Sequence, residues 1–471
     1  MHSPDLSQDN IAKIRALFPD CVTEAADDQG TVRLAIDFDQ LRQQLSDHIV
    51  EGPQERYRLD WPGKREALLT ANAPIAKTLR PAREESVEFD TTQNLFIEGD
   101  NLDALKLLQE SYLGKVKLIY IDPPYNTGND FIYDDDFAES AEQFLSRSNQ
   151  SDTQGGRLVA NPDSNGRFHS DWLSMIYARL KLARNLLSDD GIIMMSIDEN
   201  EIDNLKKISD QVFGEDNNVF HITLLCNPKG RSQDKYVANC HEFIVAYSKS
   251  SLPKGSVNVP REEDEIEKTY TLKDGRGRYR ELELRNTHRE FGKFNRPSLF
   301  FPIFVRDDGS TSLTQEAGAS PILPIWEDGF EGCWTWGQDK AQRQIDELVG
   351  RRIKGEWKIF RKNYAEGEDG EATKQVKSIW LDKKFHTEKG QASFNELFET
   401  REKIFQSPKS VETIRELILM GCGKSDIILD FFAGSGTTAH AALTQNAIDG
   451  GNRRFVLSRE PINGIPKAGD F

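Results

Sequence analysis

The chain has 471 residues, 37% of them apolar and 29% charged, enough for ordinary globular cores in about three domains. Its five cysteines, Cys21, Cys226, Cys240, Cys333 and Cys422, form no C-x-x-C pair, which suggests neither a disulfide framework nor a thiolate zinc site and fits a reducing cytoplasm. The net charge of −17 speaks against nucleic acid only as an average, because residues 272–296 carry eight Lys or Arg against four acids and residues 351–363 carry six against one. Apolar runs such as Gly191 to Ile197 fall far short of the ~20 residues that cross a bilayer, and the polar, acid-containing N-terminus does not read as a signal peptide, so no membrane role is expected.

Residues 1 to about 50 place Ile11, Ile14 and Leu17 at helical spacing and read as a small helical prelude. Residues 51–90, rich in Pro, Arg and Glu, read as an extended surface connector. Asn94 to Asp100 is then a short strand ending in Gly-Asp, Leu102 to Leu113 a helix, and Val116 to Ile121 a buried strand that stops at Asp122-Pro123-Pro124-Tyr125. Strand, helix and strand make a βαβ unit, so Asp100 and Asp122 are expected at one edge of a parallel sheet. Carboxyl ends of strands are where open α/β sheets bind ligands. An acid, two prolines and an aromatic ring at that edge are either a strand-ending turn or a site.

Polar stretches at 126–137 and 144–167 read as a mobile flap beside it. A long amphipathic helix (168–188), a turn at Asp189-Asp190-Gly191, a buried strand (191–198), a helix (202–213) and strands at 220–225 and 242–247 continue the α/β alternation. Residues 251–395 lose that rhythm and read as an inserted mixed domain, in which Trp334-Thr335-Trp336 is core. From 396 the α/β pattern resumes, so the expected division is 1–90, 91–250, 251–395 and 396–471. The eight histidines, His169, His221, His241 and His440 among them, show no paired spacing, and no metal site is expected.

Asp430 to Thr438 reads as a strand, a glycine loop (Ala433-Gly434-Ser435-Gly436) and a helix start, a geometry that admits a nucleotide ligand closely. Thr437 stands where a phosphate-binding loop needs lysine. Gly434-x-Gly436-x-x-Ala439 with Glu460 downstream meets a loosened dinucleotide fingerprint, and S-adenosylmethionine, another ribose-bearing ligand, fits equally. The loop alone does not separate these two.

With Asp122-Pro123-Pro124-Tyr125 ahead of Phe432-Ala433-Gly434-Ser435-Gly436-Thr437-Thr438, the chain resembles the β class of amino-methylating DNA methyltransferases. Within it, Glu98 to Leu105, Tyr120 to Phe131 and Phe168-His169-Ser170-Asp171-Trp172 bring it nearest the modification (Mod) subunits of type III restriction-modification systems. The resemblance implies a Rossmann-like class I methyltransferase sheet in permuted order, with an inserted mixed α/β target-recognition domain and a small helical N-terminal segment. It also implies S-adenosylmethionine as cofactor, duplex DNA as substrate, a restriction (Res) subunit and a homodimer as partners, and N6-methyladenine as product, since Asp at the first motif position goes with adenine N6 and Ser with cytosine N4. Asp122, Pro123, Pro124 and Tyr125 are then catalytic, and Asp100, Lys409, Asp430, Phe432, Gly434, Gly436, Thr437 and Glu460 bind the cofactor. Arg276, Arg278, Arg280, Arg285 and Arg289, with Arg351, Arg352, Lys354, Lys358, Arg361 and Lys362, are the candidates for DNA contact.

Three alternatives stand beside this. The Gly/Pro-rich run after Arg459, where family members usually continue, is compatible with a truncated, non-catalytic DNA-binding or assembly subunit. Cytosine N4 is the other methylation outcome. A nicotinamide oxidoreductase rests on the glycine fingerprint alone.

Overall fold

The computed structural model describes residues 6–26, 32–45, 59–127, 131–133, 158–160, 168–230, 235–367, 370–400, 404–405 and 407–459. They fall into two compact units, one of residues 1–257 with 376–471 and the other of residues 258–375.

The first unit is built on a sheet of eight strands: β1 (Leu95–Glu98), β2 (Val116–Ile121), β3 (Leu187–Ile197), β4 (Asn218–Leu225), β5 (His241–Ser248), β6 (Ile379–Trp380), β7 (Ile427–Asp430) and β8 (Arg454–Arg459). Their spatial order is β6-β4-β5-β3-β2-β7-β8-β1. Every neighbouring pair is parallel except those of β5, which runs antiparallel to both β3 and β4. β1 and β2 are parallel as expected but are not neighbours, because β7 and β8, some three hundred residues later in the chain, lie between them. β2 is apolar on both faces because both are covered, and all of its residues but Lys117 are buried. It ends where Pro123 and Pro124, without N–H groups, can donate nothing to a ladder.

Helices α1 (Asn101–Tyr112), α2 (Phe168–Leu186), α3 (Ile202–Phe213), α4 (Thr387–Leu397), α5 (Val411–Gly421) and α6 (Thr437–Asp449) accompany this sheet. α2 is nearly all interior: Trp172, Met175, Ile176 and even Arg179 are fully buried. Four expectations change here. The N-terminal prelude contains a hairpin, Val22–Ala26 against Val32–Ile36, besides helices Leu6–Leu17 and Phe38–Gln44. Within the supposed connector, Lys64–Asn72 is helical and buries Ala67, Leu68 and Ala71, with Trp61 just before it bonded through Nε1 to Ser174 Oγ at 2.9 Å. The turn expected at Asp189-Asp190-Gly191 is instead an irregularity inside β3, where pairing with β2 shifts register; a Cβ on Gly191 would lie 2.9 Å from the carbonyl oxygens of both Ser188 and Val116. The flap lies mostly outside the described residues, and within it Phe131–Tyr133 and Leu158–Ala160 pair antiparallel.

The second unit spans 258–375 rather than 251–395: residues 376–397 supply β6 and α4 to the first unit. Four antiparallel strands, Leu272–Asp274, Gly277–Glu283, Glu356–Tyr364 and Leu348–Ile353, and a three-stranded sheet around Ile303–Val305 surround a core of Leu284, Trp334, Trp336 and Ile359. Trp334 Nε1 donates to the Phe301 carbonyl at 2.7 Å. Among the described residues no helix is long and apolar enough to cross a membrane.

Candidate functional site

Neighbouring parallel strands β2 and β7 end side by side, and their C-terminal ends bring the two sequence motifs together. After β2 the Asp122 carboxylate is met by three groups. Tyr125 Oη donates to Asp122 Oδ1 at 2.9 Å and lies 3.2 Å from Glu242 Oε2. Lys409 Nζ lies 3.2 Å from the same Asp122 Oδ1 and 2.6 Å from Glu242 Oε2, donates to Tyr125 Oη, and sits 4.8 Å from the centre of the Tyr125 ring. A lysine shared by two carboxylates and a phenol is a desolvated network in which each charge has a partner. Burial pushes the Asp122 carboxyl up and the Lys409 ammonium pulls it part of the way back, leaving it above the ordinary carboxylate range. Burial would lower Lys409, but Asp122 and Glu242 outweigh it and hold the ammonium charged. Tyr125 is pushed well up, by burial first and by the two carboxylates after it, and stays a neutral phenol.

The backbone beyond Asp122 is held from behind. Trp172 Nε1 donates to the Pro124 carbonyl at 2.7 Å. Asn126 takes the left-handed conformation (φ 59°), and its Nδ2 donates to Glu201 Oε1 at 2.6 Å. Glu201, fully buried, also receives His169 Nδ1 at 2.5 Å and Asn204 Nδ2 at 2.7 Å. Lys409 owes its place to Gly390 in α4: a Cβ there would come within 2.6 Å of the Lys409 carbonyl oxygen and closer still to that of Pro408.

On the β7 side, Asp430 accepts from Phe432 N at 3.0 Å and from Thr438 Oγ1 at 2.6 Å, which folds the glycine loop over the strand end. Burial pushes the Asp430 carboxyl up to about 7. Gly434 and Gly436 are left-handed (φ 53° and 78°), and Gly436 caps α6 at its N-terminus, with Thr437 its first residue. Thr437 Oγ1 lies 2.9 Å from Ser435 Oγ. Phe432 is buried. On β1's side Asp100 caps α1, accepting from Asp103 N at 2.7 Å, and the next residue, Asn101, donates to the Phe431 carbonyl at 2.8 Å while accepting from buried Arg179 Nε at 2.6 Å. The Asp100 corner is thereby tied to the glycine loop across the sheet edge. A Cβ on Gly99 or Gly436 would meet nothing within 4 Å, so there is open space against both turns. A Cβ on Gly434 would instead lie 3.1 Å from the Phe405 ring. A left-handed glycine loop, a helix N-terminus and an acidic corner, with open space at Gly436 and Gly99, fit a nucleoside-bearing ligand such as S-adenosylmethionine.

Asp122, Tyr125 and Lys409 thus share one cluster, and Asp430, Phe432, Gly434, Gly436 and Thr437 form the adjoining loop, with Asp100 one hydrogen-bonded step away. Lys409 touches the acid and the ring of the first motif, not the glycine loop. Glu460 lies outside the described residues. Glu242, Glu201, Asn126 and Gly390 were not nominated from sequence; the one signal at Glu242 is a lone acid in the apolar strand His241–Ser248.

Most of the proposed DNA-contacting side chains are already partnered within the second unit. Arg276 pairs with Glu347, Arg278 with Glu267, Arg285 with Glu283, Arg289 with Asp328, Arg351 with Glu281, Arg352 with Asp307 and Lys362 with Asp274. Arg280 Nε donates to Asn363, and Arg361 is pushed down by burial beside the Trp336 ring.

The DNA methylase family (N6_N4_Mtase) matches residues 116–448. The Mod subunit of the type III restriction-modification enzyme EcoPI, from Escherichia phage P1, is 34% identical over 456 residues, 95% of this chain and 69% of its own. The type II methyltransferase M.KpnI of Klebsiella pneumoniae is 32% identical over 380 residues, 79% of this chain and 82% of its own. Among solved structures, an M1.HpyAVI–SAM complex aligns with a TM-score of 0.32 at 12% identity over 78% of this chain and 93% of that one.

Proposed function

We propose that this chain, which belongs to the N6/N4 DNA methylase family and is an S-adenosylmethionine-dependent DNA methyltransferase, methylates the N6 amino group of a flipped-out adenine as the Mod subunit of a type III restriction-modification system. One observation supports the chemistry above the others: a half-buried carboxylate and a glycine loop with open space at Gly436 end neighbouring parallel strands, so acceptor and donor pockets share a wall.

The adenine amino group is a poor nucleophile because its lone pair is spread into the ring. Asp122 and the Pro123 carbonyl accept from its two N–H bonds, pull the nitrogen toward tetrahedral geometry and localise that lone pair. Tyr125 stacks on the extruded base, and stacking of ~1–3 kcal/mol offsets part of the few kcal/mol that flipping costs. Gly434, Gly436, Phe432 and Thr437 would cradle the cofactor, with Asp100 toward its adenosine. Bound there, S-adenosylmethionine supplies a methyl group already activated by its sulfonium. A restriction subunit as partner and a cytoplasmic setting belong to the same reading and rest on the relatives' names as Mod subunits; a homodimer rests on the family resemblance. The second unit would read the DNA target.

Tritiated S-adenosylmethionine incubated with unmethylated duplex DNA tests the reading, the product being digested to nucleosides. Label in N6-methyladenine is expected, and Asp122→Ala should abolish it while donor binding stays. Label in cytosine, or none in DNA, sinks the assignment.

A further inference from the structure

Asp122 offers two oxygens, and the structure treats them differently. Two partners, the Tyr125 hydroxyl at 2.9 Å and the Lys409 ammonium at 3.2 Å, converge on Oδ1. No group among the described residues donates to Oδ2. What keeps Lys409 at Oδ1 is Glu242, whose Oε2 holds the ammonium at 2.6 Å and also lies 3.2 Å from the Tyr125 hydroxyl. Glu242 comes from β5, the antiparallel strand, and points at this cluster with only 11% of its side chain exposed. A carboxylate so buried is retained against its desolvation cost only by close partners, and Lys409 and the Tyr125 hydroxyl are two of them.

We propose that Glu242 is a positioning residue of the acceptor pocket: by anchoring Lys409 and the Tyr125 hydroxyl on Asp122 Oδ1, it leaves Oδ2 turned to the open pocket to receive the N–H of the target amino group. Two consequences follow. The carboxylate plane is fixed before the base arrives, so the acceptor costs little reorganisation at the moment of transfer. The Tyr125 ring is tethered at its hydroxyl, which fixes the face on which the base stacks. In this arrangement Lys409 works on the acceptor side of the site.

The inference rests on the methyltransferase reading above, and the test separates the two. Single-turnover transfer from tritiated S-adenosylmethionine to long unmethylated duplex DNA is followed across pH for the wild type, Glu242→Gln, Lys409→Met and Lys409→Arg, with donor affinity measured in parallel by calorimetry. The titratable groups facing Asp122 are Lys409, Glu242, Tyr125 and Tyr120, and Asp430 from β7. Glu242 raises the Asp122 carboxyl and Lys409 lowers it. Glu242→Gln should therefore slow transfer at least tenfold and move the acid limb of the rate profile to lower pH. Lys409→Met should slow it and move the limb to higher pH, and Lys409→Arg should return the limb toward wild type. Donor affinity should stay within about twofold throughout. Opposite shifts are not what general unfolding of the site produces. Wild-type rates and an unmoved limb in Glu242→Gln overturn the inference, as does a loss of donor affinity in Lys409→Met with the limb in place. A wild-type chain that labels no DNA overturns the underlying function and the inference with it.

Discussion

Replacing Gly390 with alanine sets a methyl group against the backbone that holds Lys409. In a free helix the change would stabilise by about 0.5–1 kcal/mol, since glycine is a poor helix former. Here the added Cβ lies 2.6 Å from the Lys409 carbonyl oxygen and 2.7 Å from its carbonyl carbon, and nearer still to the Pro408 oxygen. Carbon and carbonyl oxygen settle at about 3.3–3.6 Å, so α4 and the Pro408-Lys409 segment must separate by on the order of 1 Å. Overpacking of this kind costs ~1–3 kcal/mol, which cancels or exceeds the helical gain. The displacement falls on a lysine whose contact with Glu242 is 2.6 Å long, and a shift of about 1 Å at a reacting centre can lower a rate ~100-fold. Urea unfolding and the initial rate of methyl transfer measure both quantities. Unfolding free energy should stay level or fall, and transfer should drop by one to two orders of magnitude. A Gly390→Ala chain that is more stable by the full helical increment and transfers methyl groups at the wild-type rate would refute the close approach and the role given to it.

Trp172→Phe keeps the buried ring and removes the donor to the Pro124 carbonyl, so it should cost about 1–3 kcal/mol of stability and slow transfer while donor affinity stays; unchanged transfer would free Pro124 from that restraint. Asp430 predicts a pH dependence of stability. Its folded value of about 7 lies above the ordinary 3.8, so between those limits the folded chain holds a proton that the unfolded chain has lost. The stability that Asp430 contributes is then full below pH ~4 and is lost as pH rises toward ~7, by on the order of a few kcal/mol. Asp430→Asn can keep both the Phe432 and the Thr438 hydrogen bonds and should flatten that slope; an equally steep slope in the variant would put the titration elsewhere.

The strands that position the site were legible where burial on both faces leaves an unmistakable apolar run, as in Val116 to Ile121 and Ile427 to Leu429. Their common edge was legible too, since the two prolines and the glycine pair each end a strand abruptly. What could not be read was lateral order: β1 and β2 are adjacent in sequence, yet β7 and β8 separate them, and no local signal encodes a partner some three hundred residues away. The same holds for Glu242, placed at Lys409 by the pairing of antiparallel β5 with β3, and for Gly390, whose reason is a contact with Pro408 and Lys409. The helix Lys64–Asn72 was missed because only Ala67, Leu68 and Ala71 mark its inner face. Irregular β3 was read as a turn because Asp189-Asp190-Gly191 has turn composition, while long-range pairing with β2 keeps it in the strand.

The basic clusters show how far a charge count misleads. In the register of the second unit, Arg351 faces Lys358 across one ladder and Glu281 faces Lys362 across the next. Arg351 reaches over to Glu281, with both of its bonded nitrogens on that carboxylate. A phosphate competing for Arg351 must first displace a partner already in place, so such a side chain releases little net charge to DNA. Lys354, in the exposed turn between the two strands, and Lys358 make no ion pair with a described residue, and each would neutralise a phosphate outright. Each phosphate contact contributes about 0.9 to the slope of log affinity against log salt. Lys354→Ala with Lys358→Ala should therefore weaken duplex binding and reduce the slope by nearly two. Arg351→Ala should change the slope little and show instead as a modest loss of stability, because it leaves Glu281 without its partner. A slope that falls with Arg351 and not with the two lysines would mean that the ion pairs of the free protein open on DNA, and that the acids opposite them act as a gate on binding.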